Sequence, residues 1–281
     1  MEDFIIQNSF THENGIFVDN RQHKPSSETS RGEEASYWYK HRSKCIVSLI
    51  QRWYCGDCFV DVGAGSGYIS MNIMKAGYNV TVFEPIFIRA NQCKERGVPT
   101  VMCGYFSPDN VKPGSVPAVG LFDVLEHIED DMGFLKSIRE LMADEGLFFL
   151  TVPAHNKLWS ASDDFCHFRR YSLKTLADLI NKCGFEIQYK TYIFSLLIIP
   201  IFLLKTIPDK IFRKDRSSKA TEGGQKQYNR NNTVKLHHKA HKPSALARML
   251  FSVMKFEISR IAKGEKVPFG ASCLLVAKKV K

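Results

Sequence analysis

The sequence predicts a doubly wound α/β domain. Its sheet should have seven strands, mainly parallel, with a helical basic insertion between the last two. Three observations predict it. Short apolar runs alternate with segments of helical period about ten or more residues long. A glycine-rich turn, Gly63-Ala64-Gly65-Ser66-Gly67, joins the first buried run to a helix. Carboxylates, Glu84 and Asp123, stand where two further runs end.

The elements follow in order. Residues 1–32 are polar and irregular, with Pro25, Ser26, Ser27 and Ser30 marking a loop, although Phe4–Ile6 and Gly15–Val18 have the composition of short strands. From Glu33 to Trp53 the apolar residues Tyr37, Cys45, Val47, Leu49, Ile50 and Trp53 recur at helical spacing. Cys58–Val62 is a buried strand running into the glycines, and Ser66–Ala76 a helix stopped by Gly77. Val80–Phe83 is a strand ending at Glu84-Pro85, followed by a helix over Ile86–Arg96 and a strand near Val98–Cys103. Past the turn residues Pro108, Pro113, Gly114 and Pro117 come strand Ala118–Asp123, helix Asp131–Met142 and strand Gly146–Val152. A serine-capped helix over Ser172–Cys183, a strand over Phe185–Thr191 and a last strand over Ser272–Ala277 complete the pattern. The chain thus divides into an irregular segment (1–32), a core (33–191 and 267–281) and an apolar and basic helical insertion (192–266).

The formal charge of +10 belongs to the insertion. Between Lys205 and Lys266 there are 16 basic and 5 acidic residues, leaving 23 basic and 24 acidic elsewhere. Such a segment suits anionic lipid headgroups, nucleic acid or an acidic partner. It opens with the apolar run Tyr192–Leu204, shorter than the ~20 residues of a membrane-spanning helix. Farther on, Ser244–Ile261 reads as an amphipathic helix with Arg248, Ser252, Lys255, Ser259 and Lys263 on one stripe and Leu246, Leu250, Val253 and Ile261 away from it. Of the eight cysteines only Cys55 and Cys58 have CxxC spacing, with no second pair to complete a zinc site, so no metal is expected. The start lacks a basic and then apolar leader, and scattered cysteines fit reduced thiols, so a cytoplasmic protein is expected.

The segment Phe59-Val60-Asp61-Val62-Gly63-Ala64-Gly65-Ser66-Gly67 departs from the dinucleotide fingerprint, because Tyr68 takes the place of its last glycine. It resembles motif I of the class I S-adenosylmethionine-dependent methyltransferases, a Rossmann-like family in which this loop passes under the methionine part of the cofactor. Glu84, beside Pro85, stands where a carboxylate accepts hydrogen bonds from both ribose hydroxyls. Gly120-Leu121-Phe122-Asp123-Val124-Leu125-Glu126-His127 looks like the family's segment bordering the adenine and the methyl-transfer region. The resemblance implies S-adenosylmethionine as cofactor, with Asp61, Gly63, Ala64, Gly65, Gly67, Glu84, Pro85, Phe122 and Asp123 around it. It extends over about Glu33–Lys205 and Val267–Lys279, and it implies an antiparallel last strand, since the insertion breaks the hairpin that normally joins the family's last two strands. There Thr151–Ser160 and His167-Phe168-Arg169-Arg170-Tyr171-Ser172 are similar to a bacterial small-molecule subgroup often associated with glycan or lipid pathways. Quinone O-methyltransferases are more distant relatives.

Methyl transfer from a sulfonium is an in-line displacement that needs alignment and removal of an acceptor proton. His155, His167 and His127 are the candidate bases, with Asp163 or Asp164 to orient one of them. Arg169 and Arg170 are candidates to clamp an acceptor phosphate or carboxylate, or to pair with those aspartates. Tyr37, Trp38 and Arg42, on the first helix, with Trp159 and Tyr171 complete the expected substrate-binding set. The acceptor expected is a small or lipid-linked molecule, met at an anionic membrane surface on the inner face of the cytoplasmic membrane. Nucleic acid is disfavoured: no Asn-Pro-Pro-Tyr motif stands at Phe122–Leu125, no Pro-Cys pair offers a nucleophile, and no RNA-binding module is recognisable. A cofactor-binding scaffold without turnover is the remaining alternative, separated from an enzyme by consumption of the cofactor.

Overall fold

The computed structural model describes residues 4–5, 10–13, 15–19, 33, 36–159, 163, 167–198 and 252–281. The strands are β1 (Thr11–Glu13), β2 (Ile16–Val18), β3 (Cys58–Val62), β4 (Asn79–Phe83), β5 (Thr100–Cys103), β6 (Val116–Phe122), β7 (Met142–Pro153), β8 (Phe185–Ile193) and β9 (Ser272–Lys279). The helices are α1 (Tyr37–Trp53), α2 (Tyr68–Lys75), α3 (Phe87–Glu95), α4 (Asp131–Leu141), α5 (Leu173–Lys182) and α6 (Lys255–Lys263).

The sheet runs β1-β2-β5-β4-β3-β6-β7-β9-β8. From β2 to β7 every pairing is parallel, and β9 is antiparallel to both β7 and β8, as the sequence predicts. Two strands exceed the expected seven. The β1–β2 hairpin adds β2 parallel to the edge of β5. Ile16 and Val18 of β2 are buried while Phe17 is only half-buried. The composition of Gly15–Val18 points to the second of these strands, and the edge of β5 supplies the pairing that makes it one.

Alternation along each central strand feeds two cores. Phe59 of β3, Ala118 and Phe122 of β6 and Phe149 of β7 join residues of α1, α2 and α3 on one face. Val60, Val119, Leu121, Phe148 and Leu150 meet α4 and α5 on the other. Helix starts are specified locally. Asp130 accepts from Gly133 N at 2.9 Å at the head of α4, and Ser172 forms a reciprocal capping box with Thr175 at the head of α5.

The insertion is tied down at both described ends. Of the predicted helix Ser244–Ile261, residues through 251 lie outside the described set, as do Ile199–Leu204 of the apolar run. The described part, α6, packs on α1, burying Met254 and Ile261. It also buries Glu257, which accepts from Phe194 N (2.9 Å), Ser195 N (2.7 Å), Ser195 Oγ (2.6 Å) and His41 Nε2 (2.8 Å). Burial pushes Glu257 up, but the His41 and Ser195 hydrogen bonds outweigh it and hold the carboxyl below its usual value. Val253 and Phe256 remain exposed beside Lys255, Arg260 and Lys263. No helix among the described residues is long and apolar enough to cross a membrane.

Candidate functional site

The parallel strands β3, β4 and β6 end side by side, on the edge where open α/β sheets bind ligands. β3 delivers Asp61, fully buried, whose Oδ2 accepts from Ser70 Oγ at 2.5 Å one turn into α2. The loop after β3 turns through positive φ at Gly63 (71°), Gly65 (58°) and Gly67 (77°). Gly67 permits the close contact of loop and helix: a Cβ there would lie 2.9 Å from the Cys93 Cα. A Cβ on Gly65 would meet nothing within 4 Å, so this glycine keeps open the space above the loop. Glu84, at the end of β4, receives Gly65 N on Oε2 (2.9 Å) and Ile86 N on Oε1 (3.0 Å), which fixes both oxygens toward the loop. Glu33 accepts from Ser66 Oγ and from Arg96, and Arg96 donates to the Ser66 carbonyl at 2.8 Å, so the loop is clasped from outside.

At the end of β6, Asp123 holds φ at 58°. Its Oδ1 accepts from Thr151 Oγ1 (2.8 Å) and its Oδ2 pairs with Arg42 (3.0 Å), which also donates to the Phe122 carbonyl at 3.0 Å. Arg42, expected on the substrate, is here the brace between α1 and β6. Phe122 is buried and stacks on Phe59. Trp38 stacks on Phe194 at 3.6 Å between centroids, which is core packing. Tyr37 and Trp38 are half-buried, and Tyr37 carries Lys40 over its ring.

Beyond β7 lies a cavity of about 840 Å³ lined by His155, Lys157, Leu158, Arg169, Arg170 and Tyr171, among others. His155 sits at φ 58°, held by its backbone N–H on the Tyr171 carbonyl (2.8 Å) and by its ring stacked on Tyr192. Burial lowers its pKa from the ordinary histidine value; a hydrogen bond to the Gly270 backbone opposes this, and the Arg170 charge reinforces it. Burial thus favours the neutral imidazole. With one ring nitrogen donating to Gly270, the other offers a lone pair. Arg170 pairs with Asp163 (2.8 Å) and donates to the Ala154 carbonyl (3.1 Å), while Arg169 pairs with Asp131 (2.7 Å), which also accepts from the Tyr171 hydroxyl (2.8 Å). Both guanidiniums are thus oriented while still lining the cavity. Trp159 is half-buried and is not among the lining residues; Asp164 lies outside the described set.

A second cluster lies between the β6 end and residue 167. His167 Nδ1 is 2.6 Å from Asp163 Oδ1, and the His127 and His167 rings are 4.8 Å apart. Glu126, 1% exposed, joins them; burial, then the Asp123 charge, pushes its carboxyl up to about 8. The sequence shows Glu126 only as a neighbour of Asp123 and gives no signal that it meets His167. Ser70 and Thr151, the partners of Asp61 and Asp123, were likewise not indicated.

Asp61 makes a pH-dependent prediction. Burial raises its pKa from 3.8 to about 6, against opposing contributions from Ser70 and Arg42. A carboxyl raised on folding stabilises the fold fully below its unfolded pKa and loses that contribution as pH rises through the folded value. The difference is on the order of 3 kcal/mol. Asp61→Asn, which keeps an acceptor for Ser70, should match the wild type at pH 4 and exceed it by up to about that amount at pH 7.5 in ligand-free urea unfolding. A gap independent of pH would contradict the assignment.

Residues 30–190 match a family model described as a methyltransferase domain. Among solved structures the chain is similar to a SAM-dependent methyltransferase from Archaeoglobus fulgidus, with 11% identity over 87% of this chain and 95% of that one and a TM-score of 0.51. It is also similar to a SAM-dependent methyltransferase of Thermotoga maritima described as a possible histamine N-methyltransferase, with 14% identity over 86% and 93% of the two chains and a TM-score of 0.50. A chain of the complex between the Haloferax volcanii Trm112 methyltransferase activator and the putative methyltransferase gives 11%, 86%, 90% and 0.51. At these identities the likeness is one of fold. No curated protein matches the chain in sequence.

Proposed function

Since the chain belongs to the S-adenosylmethionine-dependent methyltransferases, we propose that it methylates a hydroxyl of an amphiphilic small molecule carrying an anionic group, and that it does so at a membrane surface. The cofactor fits the residues present. The open space over Gly65 admits a ligand backbone, and Glu84, as a carboxylate with two acceptor oxygens, suits a ribose diol. Asp61 and Asp123 place negative charge where a ligand bearing an ammonium and a sulfonium would lie. Bound S-adenosylmethionine supplies an electrophilic methyl group on that sulfonium.

What this chain then contributes is alignment and a base. The observation that carries the reading is the cavity in which neutral His155 faces Arg169 and Arg170 among Leu158, Leu179 and Ile198. His155 takes the acceptor proton on the ring nitrogen opposite its Gly270 bond. The guanidiniums orient a phosphate or carboxylate on the acceptor, and the aliphatic wall receives its apolar part. The surface reading is supported by the basic excess of Lys205–Lys266 and by exposed Val253 and Phe256 beside Lys255 and Lys263.

Flotation with anionic vesicles tests the surface reading. Wild type should co-float, and a Lys255→Glu, Phe256→Ser, Lys263→Glu variant, altered only at exposed positions, should stay behind while binding the cofactor equally well. If wild type also stays behind, the acceptor arrives from water.

A further inference from the structure

We propose that Glu126, His127 and His167 bind one divalent transition-metal cation at the acceptor end of the cleft. One ligand atom from each lies within 4.8 Å of the others, so small side-chain adjustments bring all three around one ion. Two imidazoles and a carboxylate suit zinc and its neighbours, whereas magnesium and calcium prefer oxygen alone. Three protein ligands leave positions open for an oxygen of the acceptor.

Two further observations point to a ligand. Glu126, 1% exposed, buries its Oε2 with no hydrogen-bond partner among the described residues. Native proteins rarely leave such an atom unmet, because doing so costs about 1–3 kcal/mol. Asp163 receives His167 Nδ1 at 2.6 Å and is itself held by Arg170 at 2.8 Å. A carboxylate behind an imidazole, anchored in turn, is how proteins orient metal-binding histidines. The geometry is also independent of ligand spacing in the sequence, since His127 and His167 stand forty residues apart and meet where the Phe168 amide bonds the Glu126 carbonyl at 2.8 Å. A second group among the described residues, the buried His41, Cys45 and Glu257, offers no unpartnered carboxylate, because Glu257 already accepts from Ser195, Phe194 and His41.

At that place an ion would polarise an acceptor oxygen and lower its pKa, beside a neutral His155. Its binding is measured without any acceptor, so it stands or falls apart from the proposed substrate.

The test is titration of chelator-stripped full-length protein with Co2+, read by its visible d–d absorption, and with Zn2+ by calorimetry. Wild type should bind one equivalent of each. Glu126→Gln and His167→Asn should each weaken binding at least tenfold, and Asp163→Asn by about 10–100-fold. Unchanged S-adenosylmethionine affinity reports that each variant is folded. His127 is exposed, so His127→Asn carries the test if a buried substitution unfolds the chain. No stoichiometric binding by wild type, or equal affinity in the folded ligand variants, would overturn the site.

Discussion

His155→Asn should lower kcat by about 10²–10⁴-fold while leaving S-adenosylmethionine affinity unchanged, the effect of removing a positioned base. Asparagine is the replacement of choice because it tolerates the positive φ of 58° at this position, where alanine would be strained. The wild-type rate should also fall on the acid side. A histidine whose pKa is lowered by burial stays neutral down to a pH below the ordinary histidine value, so the acid limb of the profile belongs below about 6.5. Stopped-turnover assays across pH 5–8 (roughly the histidine range) check both points. A variant that kept its rate, or an acid limb above neutrality, would move the base to another residue.

Glu84→Ala should weaken cofactor binding on the order of 1–3 kcal/mol beyond any loss of fold. The carboxylate acts twice in the proposed reading: it holds Gly65 N and Ile86 N, and it would also accept from the ribose hydroxyls of the cofactor. Glu84→Gln separates the two roles. One amide oxygen keeps a single loop bond, but the charge and the second acceptor are gone, so affinity should fall while unfolding stability changes less. Calorimetric titration of both variants reads this directly. Equal affinity in wild type and both variants would place the cofactor elsewhere.

These sites differ in how far local sequence announces them. The glycine loop and Glu84 are legible because their chemistry is local: positive φ demands glycine, and a strand end presents a carboxylate. The antiparallel β9 is legible only through the family resemblance, in which a hairpin normally joins the last two strands. The partners of Arg42 are not legible, since only the fold brings it across eighty residues to the Phe122 carbonyl and to Asp123. The same holds for Trp38, whose partner Phe194 stands far along the chain. Glu257 would be read as a charge on a solvated helix face, yet it is buried by its pairing with a turn 62 residues away. The contact of Glu126 with His167 is of this kind. Residues joined only by tertiary contacts carry no periodicity and no motif, so their roles emerge from packing alone.

Methyl transfer from S-adenosylmethionine to a small amphiphile, with His155 as the proposed base, is tested most directly by incubation with methyl-labelled cofactor and a cell extract, followed by partition of the label. Wild type should place label in the organic-extractable small-molecule fraction, and His155→Asn at least about 100-fold less. Label recovered in precipitated protein or nucleic acid, or cofactor bound without any release of its methyl group, would contradict it.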